Sequence, residues 1–122
     1  MKQGKIWGET SQLFNKNNVS IHRIEINAGG FCSKHKHNYK HNIFFVESGL
    51  LKIEHWQNNY DLNDITILKS GESCSIPPNH YHKFTALEDT IALEIYYVEL
   101  LDDDICRETC GGLTNTNRTD IV

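Results

Sequence analysis

Ile43-Phe44-Phe45-Val46-Glu47-Ser48-Gly49-Leu50-Leu51-Lys52-Ile53-Glu54-His55-Trp56 is the stretch that decides how the chain folds. Ile43–Val46 is a short apolar run, Ser48-Gly49 breaks it, and Leu50 to Trp56 then alternates. A run this short, ended by a glycine, reads as a buried strand rather than a helix. Alternation has the two-residue period of a strand, whose successive side chains leave opposite faces.

The same period extends outward in both directions. Residues 19–26 alternate and place His22, Ile24 and Ile26 on one face; residues 65–68, 73–76, 81–87 and 91–98 follow suit. Between them lie Gly29-Gly30, Ser70-Gly71, Pro77-Pro78-Asn79 and Glu88-Asp89, all turn-forming combinations. Only 10–17 and 102–109 carry a weak helical pattern. Many short strands at even spacing predict an all-β sandwich or barrel. With 122 residues and 39% hydrophobic residues, the chain supports one core. The expected organisation is a single domain over residues 1–113, with a polar tail at 114–122.

The formal net charge of −4, without a Lys/Arg cluster, leaves no nucleic-acid footprint. No apolar run approaches the roughly 18–20 residues that cross a bilayer, so no membrane partner is expected. Met1 to Gly8 lacks the apolar stretch of a signal peptide, which makes a cytoplasmic location the expectation. Cys32, Cys74, Cys106 and Cys110 form no Cys-x-x-Cys pair and read as packing or surface thiols in a reducing compartment.

Three of the seven histidines, His35, His37 and His41, fall in one stretch. In an extended chain, residues two apart share a face about 7 Å apart, so His35-x-His37 aims two imidazoles at one ion. Read from Gly29, the chain gives Gly, five residues, His35-x-His37, four residues, Asn42, six residues and Gly49. Read from Gly71, it gives Gly, five residues, Pro77-x-Asn79, two residues and His82.

These two blocks resemble the paired motifs of the cupin superfamily, over a span from about Val19 to Val98. The resemblance implies a cupin (jelly-roll) barrel of two antiparallel sheets that holds one divalent transition metal ion: Zn, Ni, Fe, Mn or Co. His35, His37 and His82 match its metal ligands. Asn42 occupies the position where the family carries glutamate, and its neutral amide oxygen is the weaker donor. His41 and Glu47 are alternatives for a fourth ligand, although strand parity leaves His41 at the turn and turns Glu47 away from Asn42. His80 reads as an exposed turn residue. Phe31, Phe44, Phe84, Tyr96 and Tyr97 read as core. Cupins commonly pair, so a homodimer is also implied.

The ends of the chain resemble type II mannose-6-phosphate isomerase domains: Lys5-Ile6-Trp7-Gly8 near the start, and Asp102-Asp103-Asp104-Ile105-Cys106-Arg107 near the end. The sequence departs from them at the first and third ligand positions and in having Cys110-Gly111-Gly112 where they close with Tyr-Gly-Arg. That resemblance implies a metal-dependent isomerase or epimerase for a small-molecule substrate, a sugar or sugar phosphate. The ion would polarise a carbonyl, and Arg107 would hold the anionic group. His22, His55 and Glu94 are the candidates for a general base. An Fe(II)-dependent dioxygenase or lyase, and a non-catalytic sugar-binding module, are the alternative functions.

Overall fold

Alternation along the chain becomes alternation in depth. In the strand that begins at His41, Asn42, Phe44 and Val46 are at most 1% exposed, while the residues between them are only partly covered. The computed structural model describes residues 2–57, 63–98, 108–109 and 111–114. Its strands are β1 (Lys2–Lys5), β2 (Gly8–Lys16), β3 (Val19–Ile26), β4 (His41–Ser48), β5 (Leu50–Trp56), β6 (Asn63–Lys69), β7 (Ser73–Ile76), β8 (Tyr81–Ala86) and β9 (Thr90–Tyr97). There is no helix among the described residues.

All the strand pairings are antiparallel, in a six-stranded sheet of order β1-β2-β3-β9-β4-β7 and a three-stranded sheet of order β6-β5-β8. The two sheets face each other across one core. Ile24, Ile26, Phe44, Val46, Ile76 and Ala92 come from the larger sheet; Leu51, Ile53, Leu68, Phe84 and Ala86 come from the smaller. This is the two-sheet jelly-roll arrangement expected from the period-two pattern.

The segment after β3 closes the barrel beside β8. Ala86 N donates to Gly30 O (2.9 Å), Cys32 N to Phe84 O (3.2 Å), and His35 and His82 exchange backbone bonds of 3.1 and 2.8 Å. The His-x-His segment is therefore an extended connection pinned at isolated bridges rather than a full strand.

Two expectations are corrected. The weak helical pattern at 10–17 gives way to strand β2, which pairs along its length with β3 and over Gly8–Ser11 with β1. A bulge between Gln12 and Phe14 breaks the alternation there, and cross-strand hydrogen bonding outweighs weak local propensity. Phe31 is not core: it is 58% exposed, with the Lys83 ammonium 4.6 Å from its ring centre. Residues 102–107 of the weak helical pattern and most of the polar tail lie outside the described residues.

Gly49 carries the turn between β4 and β5 at φ 101°, and a Cβ there would sit 2.4 Å from Asp89 O. Both the left-handed backbone and the close approach exclude a side chain. Gly49→Ala should destabilise the domain by about 1–3 kcal/mol. Urea denaturation followed by circular dichroism measures it, and an unchanged midpoint would contradict this account of the turn.

Candidate metal centre and adjoining cavity

The backbone exchange between His35 and His82 places the two motif blocks side by side. His82 points inward from β8 and is 0% exposed; His35 and His37 are partly buried. The His37 carbonyl accepts a 2.7 Å bond from Asn79 N, where the Pro77-Pro78 turn passes through φ 66°. The loop of the second block thereby holds the end of the first.

One ligand nitrogen from each of His35, His37 and His82 falls within 4.8 Å of the other two. The His35 Nδ1 donates to Ser33 O (2.7 Å) and the His82 Nδ1 to His80 O (3.1 Å). A carbonyl only accepts, so each Nδ1 carries the proton and each Nε2 keeps its lone pair for the cluster. Orienting a ligating imidazole through its other nitrogen is how metal sites fix their ligands. His37 Nε2 is buried without a partner, as is Asn42 Oδ1. Protonation does not relieve the crowded lone pairs: burial, with His35, His37 and His55 nearby, pushes the His82 pKa down to about 4. Burial, then His35 and Lys40, lowers that of His37 as well. Imidazole nitrogens gathered this closely, with the opposite nitrogens of His35 and His82 donating to carbonyls, are a donor set that fits a divalent transition metal.

Asn42 sits beside the cluster, 1% exposed, with Nδ2 3.4 Å from His82 Nε2. Turning the amide over would aim its oxygen at the same point. His41 belongs to the other face of β4, where its ring stacks on Tyr97 at 4.8 Å. Glu47 is exposed and lies 3.9 Å from Arg23.

Next to the cluster is a cavity of about 510 Å³, whose lining includes His35, Phe44, Phe84, His22, Glu94 and Tyr96. Three of these meet in register: Glu94 on β9 lies between His22 on β3 and Phe44 on β4. The Tyr96 hydroxyl donates to the Glu94 carboxylate. Burial raises the Glu94 pKa, offset in part by Tyr96, His35 and Lys5. Burial also raises that of Tyr96, followed by the Glu94 charge, so the phenol keeps its proton. The His22 Nε2 shares a 2.9 Å bond with the Ser20 hydroxyl, and burial, then Lys40, lowers its pKa.

His55, one of the candidate bases, is not among the residues that line the cavity. It lies directly opposite His82 across β5 and β8, and its Nε2 meets His80 Nδ1 at 2.7 Å. The Pro77–His80 turn folds over that end of β5, so His80 is partly buried rather than the exposed turn residue expected. Arg107, with Cys106 and Cys110, lies outside the described residues. Sequence reasoning missed the β1–β2 contribution to the cavity, Gln3, Lys5, Trp7, Thr10 and Gln12, because β1 and β2 themselves were not recognised.

Solved structures similar to this one are cupins and cupin-fold enzymes. KdgF from Halomonas sp. superposes with a TM-score of 0.71 at 16% identity, over 82% of this chain and 89% of that one. The chain has the cupin fold. An RmlC-like cupin from Shewanella frigidimarina gives a TM-score of 0.66 at 17% identity, over 79% of this chain and 82% of that one. Bacillus subtilis oxalate decarboxylase, a protein with Mn(II) centres, gives 0.72 at 13% identity over 80% of this chain, which spans only 27% of it. No protein-family model and no curated protein matches the sequence, so the resemblance to mannose-6-phosphate isomerase domains is not confirmed.

The cluster yields a metal-binding prediction. His82→Ala should weaken Ni(II) or Zn(II) binding by more than the roughly 10–100-fold that loss of an outer hydrogen-bond partner costs. His41→Ala should leave binding unchanged, and Asn42→Glu should tighten Mn(II) by adding a carboxylate. Calorimetric titration of the metal-stripped chain measures all three; full retention by His82→Ala would rule out this ligand set.

Proposed function

We propose that this cupin is a metal-dependent enzyme of the isomerase or epimerase type, acting on a sugar or sugar phosphate. His35, His37 and His82 would hold the divalent ion, with Asn42 beside the cluster. A bound ion supplies Lewis acidity, polarising the substrate carbonyl and making the neighbouring C–H more acidic.

The observation that carries the reading is Glu94, an inward carboxylate on the cavity wall that Tyr96 holds by a hydrogen bond. Its raised pKa makes it a stronger base once ionised. Glu94 takes a proton from the carbon next to the carbonyl and returns it to the former carbonyl carbon, while the hydroxyl proton passes to the former carbonyl oxygen, which moves the carbonyl by one position without net gain or loss of atoms. Returned to the opposite face of the same carbon, the proton gives an epimer. Tyr96 keeps the carboxylate aimed, and Phe44 and Phe84 exclude water from that side. A sensor of the same sugar would have no use for a carboxylate desolvated at this cost. Candidate aldose and aldose-phosphate substrates test the proposal in the metal-loaded chain. Glu94→Gln should lower turnover by about 10²–10⁴-fold while metal affinity stays unchanged. Equal turnover by the variant, or oxygen consumption by the wild type, would point away from isomerisation.

The assembly proposed is a homodimer formed through the outer face of the six-stranded sheet. Ile21, Ile95 and Ile43 lie in one register row there, and Leu93 and Phe45 share the next with Arg23. Arg23 is paired with Glu25 at 2.6 Å and faces Glu47 at 3.9 Å, so two copies meet without opposing unpaired charges. Sedimentation should give twice the chain mass for the wild type and one chain mass for Ile95→Glu. A monomeric wild type would end this proposal.

A further inference from the structure

The inner face of the β1–β2 hairpin is polar where an inner face is ordinarily apolar. Gln3 and Thr10 lie opposite each other in register, Lys5 lies opposite Gly8, and Gln12 lies opposite His22 of β3. The four polar side chains of that face, Gln3, Lys5, Thr10 and Gln12, line the cavity beside the histidine cluster. The two-residue turn Ile6-Trp7 sends the Trp7 ring inward, edge-on to Phe84 at 5.2 Å and against Gly30, where an added Cβ would lie 2.8 Å from the Trp7 Cβ. Gly8 closes the turn so tightly against β3 that an added Cβ would overlap Glu25 O, at 1.9 Å. The hairpin is thus pressed onto the barrel with its polar face toward the cavity.

Charge on the hairpin is sorted by face. Lys2 pairs with Glu9 at 3.5 Å on the outer side. Among the described residues, Lys5 has no carboxylate within ion-pair distance. It acts on Glu94 from across the cavity. Lys5 is thus an ammonium without an ion-pair partner among the described residues that line this cavity. Amides and a hydroxyl on the adjacent positions match a ligand that carries several hydroxyl groups.

We propose that this hairpin face is the recognition wall for a small polyhydroxylated anion, with the Lys5 ammonium binding its carboxylate or phosphate and Gln3, Thr10 and Gln12 binding its hydroxyls. This rests on the reading of the cavity as a substrate site and adds what selects the substrate. The anionic end lies at Lys5, and the end that reacts points toward Glu94 and the histidines. Trp7 forms the floor between them.

The test uses the nickel-loaded full chain, titrated separately with gluconate, glucose 6-phosphate and the neutral polyol sorbitol. Binding is followed through the Trp7 indole N–H resonance, assigned with Trp7→Phe. At least one anion should bind roughly tenfold or more tightly than sorbitol, as a charge-assisted hydrogen bond gives. Which anion it is distinguishes a sugar acid from a sugar phosphate. Lys5→Met should reduce that anion to the level of sorbitol. Lys40→Met, which removes the ammonium 5.2 Å from the Tyr96 ring on the other side of the site, should keep the preference. Equal binding of sorbitol by the wild type, no binding of any of the three, or a preference that survives Lys5→Met overturns the proposal. So does a preference lost only in Lys40→Met. Failure of the metal reading shows separately, as absence of nickel uptake by the wild type, and a Lys5-dependent anion preference can still be read in the metal-free chain.

Discussion

The paired backbone hydrogen bonds between His35 and His82 are the constraint on which the site depends. They are ordinary antiparallel bonds of 3.1 and 2.8 Å, but they join residues far apart in sequence. Without them the connection from β3 to β4 would be tied to β8 only through residues 29–32, and the His-x-His segment would lose its register with that strand. Their effect is to convert sequence spacing into spatial register. Once residue 35 is opposite residue 82, the alternation of β8 turns His82 inward, and Asn79 captures the carbonyl of His37. The nitrogen donors converge because backbone bonding left them no other place.

A site assembled this way accumulates unfavourable terms that the remainder of the barrel offsets. His82 is fully buried, and the buried atoms His37 Nε2 and Asn42 Oδ1 have no partner. Glu94 adds a carboxylate against Phe44. Each unpaired buried polar group costs of order 1–3 kcal/mol. The opposite end of the barrel is dry: Ile24, Val46, Leu51, Ile53, Ala86 and Ala92 are at most 1% exposed. The barrel is therefore divided along its axis, with apolar packing at one end supporting a polar, ligand-ready end that would not hold its shape alone.

How much of this was legible in the sequence follows from where each residue's environment is decided. The expected strands at 19–26, 50–56 and 73–76 coincide with β3, β5 and β7, and in β7 and most of β5 the inward and outward residues differ in polarity. β1 and β2 were invisible for the opposite reason. Their inward positions, Gln3, Lys5, Thr10 and Gln12, are polar because they face a cavity instead of a core, and the bulge after Gln12 shifts the period. The histidine cluster was legible because glycines and prolines carry its register in the sequence itself. The placement of His55 was not, since a turn 25 residues further along occupies the space it would have faced.

The same logic orders the functional groups around the cavity. Glu94, His22 and Phe44 come from three strands that are adjacent only in the sheet, and no local motif announces them. Lys5 comes from the edge hairpin, whose position against the barrel is set by Trp7 on Gly30 and by Gly8 on β3. The histidine cluster is thus held by backbone bonds to β8, whereas Lys5 lies on an edge strand that pairs only with β2. An edge hairpin is the cheapest part of a sheet to change, because its outer neighbour is solvent and its loss of pairing costs one strand rather than two. Such a division would let the histidine interior stay constant while the proposed recognition wall varies. That wall lies in the part of the chain where strand periodicity is least visible.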